Sequence, residues 1–487
     1  EKAFRGWLQT KYGTMAQLNE AWSTNYESVT AITPPPDCYS GERGGPSPLV
    51  AEFEAFRDDA YIGYLGLLYS SLKTADPNKP VAARHSSLLK RISGARVFET
   101  CDVLCFHHRT PHMQLLNVYL NSLNRFHRKG LGYLEDFWGT QEEASRVADE
   151  RAQRRGLEKH VSRTCIWGRT LQMKWYGYTT GGYLFTYNGN WFDPRNDLLL
   201  MRYCAPALAV AKRRMERFDW VLTHSRIVPS RVVVVEPTIA ARIARPAADA
   251  YGAMLALHKQ LYGRGILYEI VPDTYFTTGQ AKPEDYDVII LPYATCLEQG
   301  SQRAFAKAVS NGATLVCVSP AGLRDDLALE SGLLNDTLAK QMAPNEATAF
   351  RNTVAAESPP ASSGEFTSGK GTVVTIADTG TLSTEANGTR LAELVLKQAT
   401  PVARADPGKL EVVLRKTNAE EQFLFVLNPN VDEATEASIL VSVPIARVVD
   451  VTSHRLAQVP TTVGKDLASF RVRLPAGQTA VYWLSKK

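Results

Sequence analysis

Short runs of consecutive apolar residues recur through the middle of this chain, and a helical pattern follows each of them. The runs are RVVVVEP, ILYEIVPD, YDVIILPYA and ATLVCVSP, between residues 231 and 320. Strands that are apolar on both faces are typical of a parallel sheet with helices packed on either side. The pattern predicts a doubly wound α/β domain over residues 229–402, with the Ser-, Pro- and Gly-rich stretch 353–368 as a surface excursion.

The segments on either side of this domain have different patterns. Residues 1–225 alternate strand and helix patterns, and polar or aromatic residues follow the strands at CFHHRTPH, LGYLEDFWG and GYLFTYNGNW. Such clusters at strand ends are typical of the active-site face of a (β/α)₈ barrel. Residues 408–487 alternate between apolar and polar, with turn signals between the runs, which predicts a small antiparallel β-sandwich. The predicted fold class is therefore α/β with a C-terminal β-sandwich.

The composition of the 487 residues argues against several classes of function. The net charge of +5 is small for this length, and the basic stretches 151–163 and 211–220 have the spacing of solvated helix faces, so no nucleic-acid partner is expected. No GxGxxG or phosphate loop is present, which argues against a nucleotide cofactor. The seven cysteines are scattered and predict buried thiols rather than disulfides. No apolar run has the length of a membrane span.

Glu135 is the clearest candidate for chemistry in the first region. In LGYLEDFWG an apolar strand ends at this carboxylate, and Trp138 follows three residues later. Burying an unpaired carboxylate is costly, so such a strand end needs either an ion-pair partner or a chemical role. Glycoside cleavage requires two carboxyl groups, and sugars also need aromatic platforms and hydrogen-bond donors.

Two further strand ends supply groups of the kind that bind sugars. For one strand alone, a structural ion pair with core aromatics would be the preferred interpretation. Three strand ends with the same chemistry favour a functional interpretation of Glu135, while Asp136 is expected to be structural because it points to the other side of the strand. The candidate substrate-binding residues are Trp138, His107, His108, Arg109, Tyr187, Asn188 and Trp191.

The stretch EKAFRGWLQTKYGTMAQLNEAWSTNYESV, residues 1–29, resembles the β-galactosidases of glycoside hydrolase family 42. The family pattern is an F-x-x-W-L-x-x-K-Y-G run followed by L-N-x-A-W-G-T. The layout is also similar: a catalytic barrel, a flavodoxin-like domain that mediates trimer contacts, and a small β domain. The resemblance implies that residues 1–225 hold strands five to eight of a (β/α)₈ (TIM) barrel. It also implies that residues 229–402 form the flavodoxin-like domain of a homotrimer.

By position, the resemblance implies that Glu135 is the nucleophile of a retaining enzyme, at the end of the seventh barrel strand. The family's acid/base glutamate lies in an Asn-Glu pair on the fourth strand, upstream of residue 1. Asn19-Glu20 lies in the helical L-N-x-A-W motif and is not that pair. The zinc-binding cysteines of some members also lie mainly upstream, so no metal and no other cofactor are expected.

Only four barrel strands can be placed in the sequence, ending at KPVAARHSS, CDVLCF, LGYLE and GYLFTY. The other four would come from an upstream segment of the same gene, a bound cleaved fragment or a separate partner chain. Each of these sources would also supply the second carboxylate. The oligosaccharide or glycoside substrate is the expected small-molecule partner, and no membrane partner is expected.

The sugar-facing rim departs from the family pattern. The sixth strand ends in CFHHRTP where the family has a Trp-Asp-x-Tyr-Pro type run, and Trp22-Ser23-Thr24 stands where the family has W-G-T. Two hypotheses remain open. The first is a retaining β-galactosidase-like hydrolase that cleaves terminal or oligosaccharide β-glycosides. The second is a non-catalytic carbohydrate-binding or assembly subunit with a degenerate barrel. The sequence does not identify the sugar, the linkage or the cellular compartment.

Overall fold

The computed structural model describes most of the chain outside the segment that follows residue 134. The described residues are 1–35, 45–85, 94–106, 113–134, 155, 158–159, 162–163, 166–167, 171–173, 213, 216–243, 247–318, 321–354, 363–376, 384–453, 455–464 and 467–486. Within these ranges, no helix has both the length and the hydropathy that a membrane crossing requires. The cysteines described with their side chains, Cys101, Cys296 and Cys317, are buried thiols, as predicted.

Two short helices and one long helix open the chain, as their amphipathic patterns predicted. The Thr14 side chain accepts a hydrogen bond from the backbone N–H of Gln17, and the Ser47 side chain accepts one from Val50 N, so each begins a helix. Gly13 has a φ of 71° and ends the first helix. The helices are Lys2–Tyr12, Met15–Trp22 and Pro48–Ala75, with a 3₁₀ turn at Val29–Ala31.

A four-stranded parallel sheet follows, with its strands in chain order. Its strands are Ala82–His85, Val103–Phe106, Gly130–Leu134 and Leu171–Met173, and the connections contain Gly94–Val97, Phe98–Thr100 and Met113–His127 as helices. The first three strands lie where the sequence predicted them. The fourth was expected at residues 182–187, but the strand that pairs with Gly130–Leu134 is Leu171–Met173. Residues 182–187 lie outside the described part.

The second sheet has six strands and contains all four apolar runs of the middle region. In spatial order its strands are Gly364–Ser368, Gly371–Ile376, Thr314–Val318, Val288–Pro292, Val232–Glu236 and Glu269–Pro272. All pair in parallel except Gly364–Ser368, which forms an antiparallel hairpin with the next strand. Part of the predicted surface excursion is therefore an edge strand. The helices are Thr238–Ile243, Ala247–Tyr262, Asp273–Thr277, Pro283–Asp285, Gln299–Ser310, Leu333–Ala339, Pro344–Val354 and Glu385–Gln398.

Two further sheets pack face to face around a separate apolar core. The four-stranded one has, in order, Ala403–Asp406, Thr435–Val441, Ala468–Leu474 and Thr462–Val463. The six-stranded one has Ala457–Val459, Arg447–Asp450, Thr479–Ser485, Gln422–Leu427, Glu411–Thr417 and Ser225–Ile227. The last strand follows the short helix Asp219–His224. It comes from the region expected to close the barrel, so the chain enters this sheet before it forms the doubly wound one.

Helix Met113–His127 lies between the first parallel sheet and the edge of the doubly wound sheet. Its residues from Leu115 to Leu120 are all buried, which matches its place between two packed layers. The hydroxyl of Ser122 accepts a hydrogen bond from the backbone N–H of Ile270 at 2.9 Å. Ile270 belongs to the edge strand Glu269–Pro272, so the helix satisfies a backbone group that an exposed sheet edge would leave unpaired.

Arg125 fixes the same helix to the sheet by charge. Its Nη1 donates to Glu269 Oε2 at 2.7 Å and to the Tyr286 hydroxyl at 3.2 Å, and its Nη2 donates to Asp285 Oδ2 at 2.9 Å. Burial raises the pKa of Glu269, and the guanidinium of Arg125 opposes that shift. Because the carboxyl group of Glu269 is nearly inaccessible to water, it depends on Arg125 for its stability as an anion.

We expect Arg125→Met to lower the free energy of unfolding by about 2 to 4 kcal/mol, because it leaves Glu269 buried without a cation. Chemical denaturation measures this change, and Lys307→Met on an exposed helix face is the control. The double variant Arg125→Met/Glu269→Met should recover most of the loss, since neither charge is then buried alone. A loss with Arg125→Met no larger than with Lys307→Met would show that this contact does not hold the helix.

Candidate active site

The carboxyl ends of the four parallel strands lie side by side. Phe106 ends one strand and pairs with Tyr133 of the next, and Leu134 ends that strand and pairs with Met173. Adjacent strands of a sheet are about 4.8 Å apart, so the segments that leave these ends start as neighbours. The first positions after these two strands are residues 107 and 135, where the sequence places predicted sugar chemistry.

The eight predicted site residues all lie outside the described part of the chain. They are His107, His108, Arg109, Glu135, Trp138, Tyr187, Asn188 and Trp191. The described strands bring the positions before His107 and Glu135 to one edge of one sheet. The roles of these residues remain predictions.

Asp102 holds the opposite ends of two of these strands in place. Its carboxylate accepts hydrogen bonds from the Val81 backbone N–H and the Tyr69 hydroxyl, both at 2.9 Å, and lies 2.7 Å from Lys73 Nζ. The pKa of Asp102 is lowered to about 2 by these hydrogen bonds, most by that from Lys73, next by that from the Val81 N–H and then by that from Tyr69. The long helix Pro48–Ala75 is thereby tied to the starts of strands Ala82–His85 and Val103–Phe106.

The aromatic residues of the F-x-x-W-L-x-x-K-Y-G run fix the first helix to the long helix. The ring of Phe4 meets the ring of Phe53 edge to face, with 5.1 Å between centroids. The indole Nε1 of Trp7 donates a hydrogen bond to Asp59 Oδ2 at 3.0 Å. These contacts join two helices and close a small apolar cluster, so they are structural.

The Lys-Tyr pair of the same run neutralises a buried carboxylate. Lys11 Nζ lies 2.8 and 2.7 Å from the two carboxylate oxygens of Glu52, and the Tyr12 hydroxyl donates to the same group. Glu52 is 1% exposed and carries both contacts on the long helix. Burial, with the negative charge of Glu52, raises the pKa of Tyr12, so the phenol remains a hydrogen-bond donor.

Asn19 has a structural role that agrees with its exclusion as the acid/base Asn-Glu pair. Its Oδ1 accepts hydrogen bonds from Tyr26 N at 2.8 Å and from the Thr24 hydroxyl at 3.0 Å. Its Nδ2 donates to Tyr26 O at 2.9 Å. The amide side chain therefore closes the turn that follows helix Met15–Trp22.

Two carboxylates of the doubly wound sheet were not singled out from the sequence. Glu236 ends one strand and Asp273 directly follows another, and they are 2% and 0% exposed. Burial raises the pKa of Glu236 to about 8 and that of Asp273 to about 6. The signal was present in RVVVVEP and EIVPD, where an apolar strand meets an acid, as LGYLED does at Glu135.

Asp273 has hydrogen-bond partners, whereas one oxygen of Glu236 has none. The Thr238 hydroxyl and the Ile239 backbone N–H both donate to the Asp273 carboxyl group, the latter at 3.3 Å. Glu236 Oε2 is buried without a hydrogen bond. Both groups lie at the carboxyl ends of strands of the doubly wound sheet, and not at those of the four-stranded sheet.

The N-terminal part of the chain matches the family model of the β-galactosidases of glycoside hydrolase family 42 over residues 1–117. The β-galactosidase LacZ of Heyndrickxia coagulans is 31% identical over 110 residues, which cover 21% of this chain and 16% of that relative. The matching segment spans about a sixth of the curated relative's length.

Solved structures show a similar fold over the whole length of this chain. The β-galactosidase from Bacillus circulans sp. alkalophilus has a TM-score of 0.65 at 15% identity, over 100% of this chain and 76% of its own. The exo-carrageenase from Bacteroides ovatus has a TM-score of 0.60 at 11% identity, over 100% of this chain and 63% of its own. At such identities the similarity shows the fold alone.

Proposed function

We propose that this chain carries the nucleophile of a retaining, β-galactosidase-like glycoside hydrolase, and that Glu135 is that nucleophile. The observation that supports it most directly is the position of Glu135. It is the first residue after strand Gly130–Leu134, whose neighbour Val103–Phe106 leads into His107. The carboxyl ends of parallel barrel strands are where such enzymes carry their catalytic groups.

In this mechanism the Glu135 carboxylate attacks the anomeric carbon and forms a glycosyl-enzyme, while a second carboxylic acid protonates the departing oxygen. The second group then deprotonates the water that releases the sugar. Trp138 and Trp191 would stack on sugar rings, and the remaining polar site residues would bind hydroxyls. From the resemblance to family 42, the acid/base group is proposed to lie on a segment upstream of residue 1.

Glu135→Gln should reduce kcat by about 10⁴-fold or more, because the amide keeps the shape of the side chain and cannot attack. The reaction is measured with nitrophenyl glycosides, using the longest natural chain that contains these residues. Asp136→Asn is the matched control and should stay within about tenfold of the unmutated rate. A near-normal rate for Glu135→Gln with unchanged folding would exclude Glu135 as the nucleophile.

The four-stranded sheet is proposed to be half of a (β/α)₈ barrel that four further strands complete. Strand Ala82–His85 pairs on one side only among the described residues. Beside it, helix Pro48–Ala75 exposes a row of large apolar side chains: Tyr64 at 58%, Leu67 at 65%, Leu68 at 42% and Leu72 at 54%. A free parallel edge next to an exposed leucine face is a surface that proteins normally cover.

Residues 1–487 expressed alone should aggregate readily and show no glycosidase activity, since losing general acid catalysis alone typically costs about 10²–10⁴-fold. Leu67→Ser/Leu72→Ser should improve the solubility of this fragment and weaken its assembly with the upstream segment. Sedimentation and hydrolysis assays measure the two effects. A soluble and fully active fragment would show that both carboxylates lie within these residues.

The imidazoles of His107 and His108 and the guanidinium of Arg109 are proposed to favour an anionic sugar over neutral galactose. Charge-assisted hydrogen bonds are the strong ones, and a guanidinium binds carboxylate or sulfate in a bidentate manner. The solved structures of similar fold include an exo-carrageenase as well as β-galactosidases. This variety supports a wider substrate range than simple β-galactosides.

Arg109→Gln should lower kcat/KM about tenfold for a sulfated or carboxylated β-glycoside, because one charge-assisted contact is lost. The rate on the matched neutral glycoside should not change. Steady-state kinetics on the substrate pair measures the difference. Equal losses on both substrates would remove the proposed preference.

We also propose a homotrimer formed through residues 229–402. The most exposed large apolar side chains of the described part lie elsewhere, on helix Pro48–Ala75, at Trp220 and in the C-terminal sheets. An interface through the doubly wound domain would therefore be polar, and its association should weaken as salt rises. Light scattering at micromolar concentration over a salt series tests this, and a monomer at low salt would contradict it.

A further inference from the structure

Glu236 lies where the doubly wound sheet meets helix Met113–His127. It ends strand Val232–Glu236, and its Oε2 is buried without a hydrogen bond. The Tyr119 hydroxyl, also buried, faces it from the helix, and no well-formed hydrogen bond joins the two groups. Two buried polar groups therefore face each other without a well-formed hydrogen bond, which is rare enough to need a physical reason.

The groups around Glu236 are hydroxyls and a second acid. Tyr119 faces it from helix Met113–His127, and Asp273 and Tyr275 face it from the start of helix Asp273–Thr277. The Tyr275 hydroxyl in turn lies 2.5 Å from His127 Nε2. Among the described residues, no lysine or arginine faces Glu236. Arg242 and Glu298 face Asp273 instead.

Such surroundings suit a carboxylic acid and not a carboxylate. A protonated carboxyl group can donate its hydrogen to a hydroxyl oxygen, whereas an anion here would have neither a cation nor enough donors. Burial and the charge of Asp273 raise the pKa of Glu236 to about 8, against a weaker opposing effect of Tyr119. When the contact opens to water, the carboxyl group returns to an ordinary pKa of about 4.3.

We propose that Glu236 is a proton-dependent latch, which holds helix Met113–His127 on the doubly wound sheet while it is protonated and releases it on ionisation. The latch is independent of the proposed glycosidase activity. Its consequence for the fold is direct, because the helix connects strands Val103–Phe106 and Gly130–Leu134. Opening would loosen the positions that lead into residues 107 and 135.

The sign of the pH dependence follows from the raised pKa of the closed state. Below about pH 4.3 the protonated Glu236 stabilises the closed state fully. Between about pH 4.3 and 8 the equilibrium constant for closing falls about tenfold per pH unit, and above about pH 8 it no longer changes. Asp273 acts in the same direction at lower pH, because burial raises its pKa to about 6. Burial lowers the pKa of His127, so its effect has the opposite sign and is lost on acidification.

Hydrogen–deuterium exchange of peptides from helix Met113–His127 tests the latch in the full protein. Between about pH 6.5 and 8, after correction for intrinsic exchange rates, protection of this helix should fall roughly tenfold per pH unit in the unmutated protein. In Glu236→Gln, which keeps the shape and cannot ionise, protection should be nearly constant. Glu365→Gln, on an exposed strand of the same sheet, should behave like the unmutated protein.

A pH dependence that Glu236→Gln shares with the unmutated protein would overturn the proposal, and so would a loss of pH dependence in Glu365→Gln. If Glu236→Gln does not fold, infrared spectra of the unmutated protein test whether Glu236 is protonated. The carbonyl band of a buried protonated carboxyl should be present at about pH 7 and disappear by about pH 9. Its absence at pH 7 would exclude the latch.

Discussion

Helix Met113–His127 is the element on which the arrangement of the two parallel sheets depends. It connects two strands of the first sheet and lies along the edge strand of the second. Ser122 satisfies a backbone N–H of that edge, and Arg125 pairs with Glu269, so hydrogen bonding and charge act at one contact. Because the helix is buried on nearly all sides, its position cannot change without affecting both sheets. The strands that lead to the proposed active site are therefore held partly by another domain.

Both parallel sheets contain an apolar strand that meets an acid at its end. Glu135 follows such a strand in the first sheet and is the proposed nucleophile. Glu236 ends one in the second sheet and is buried under a helix, with its pKa raised to about 8. The local sequence is similar in the two cases. At Glu236 the covering layer removes the carboxyl group from water, and an acid without water favours its neutral form.

The residues of the N-terminal motif that resembles family 42 act mainly in packing. Phe4, Trp7, Lys11 and Tyr12 join the first helix to the long helix, and Asn19 closes a turn. The N-terminal motif therefore marks how the helices before strand Ala82–His85 are assembled. The similarity to family 42 in this motif therefore rests on residues that build the fold, while the chemistry is proposed to reside on later strand ends.

Much of the architecture could be predicted from local patterns in the sequence. The apolar runs of the middle region are strands because a buried parallel sheet requires apolar residues on both faces, and the alternation after residue 408 follows from a sheet with one covered face. The first two helices and the long helix followed from their residue patterns. Three strands of the first sheet were also found in this way. For the candidate site, the sequence provided the order of strands and the residues that follow them.

The contacts between distant segments could not be predicted. Strand Ser225–Ile227 joins the C-terminal sheet, and Leu171–Met173 takes the place expected for residues 182–187, because strand pairing is decided by which partners meet in space. The raised pKa of Glu236 has the same origin, since the burial that raises it comes from segments that are distant in the chain. The sequence by itself determined the elements, their order and the similarity to family 42. Only the tertiary structure decided which edges pair and which acids lose contact with water, because hydrogen bonding between strands and desolvation depend on residues that are distant in the chain and adjacent in space.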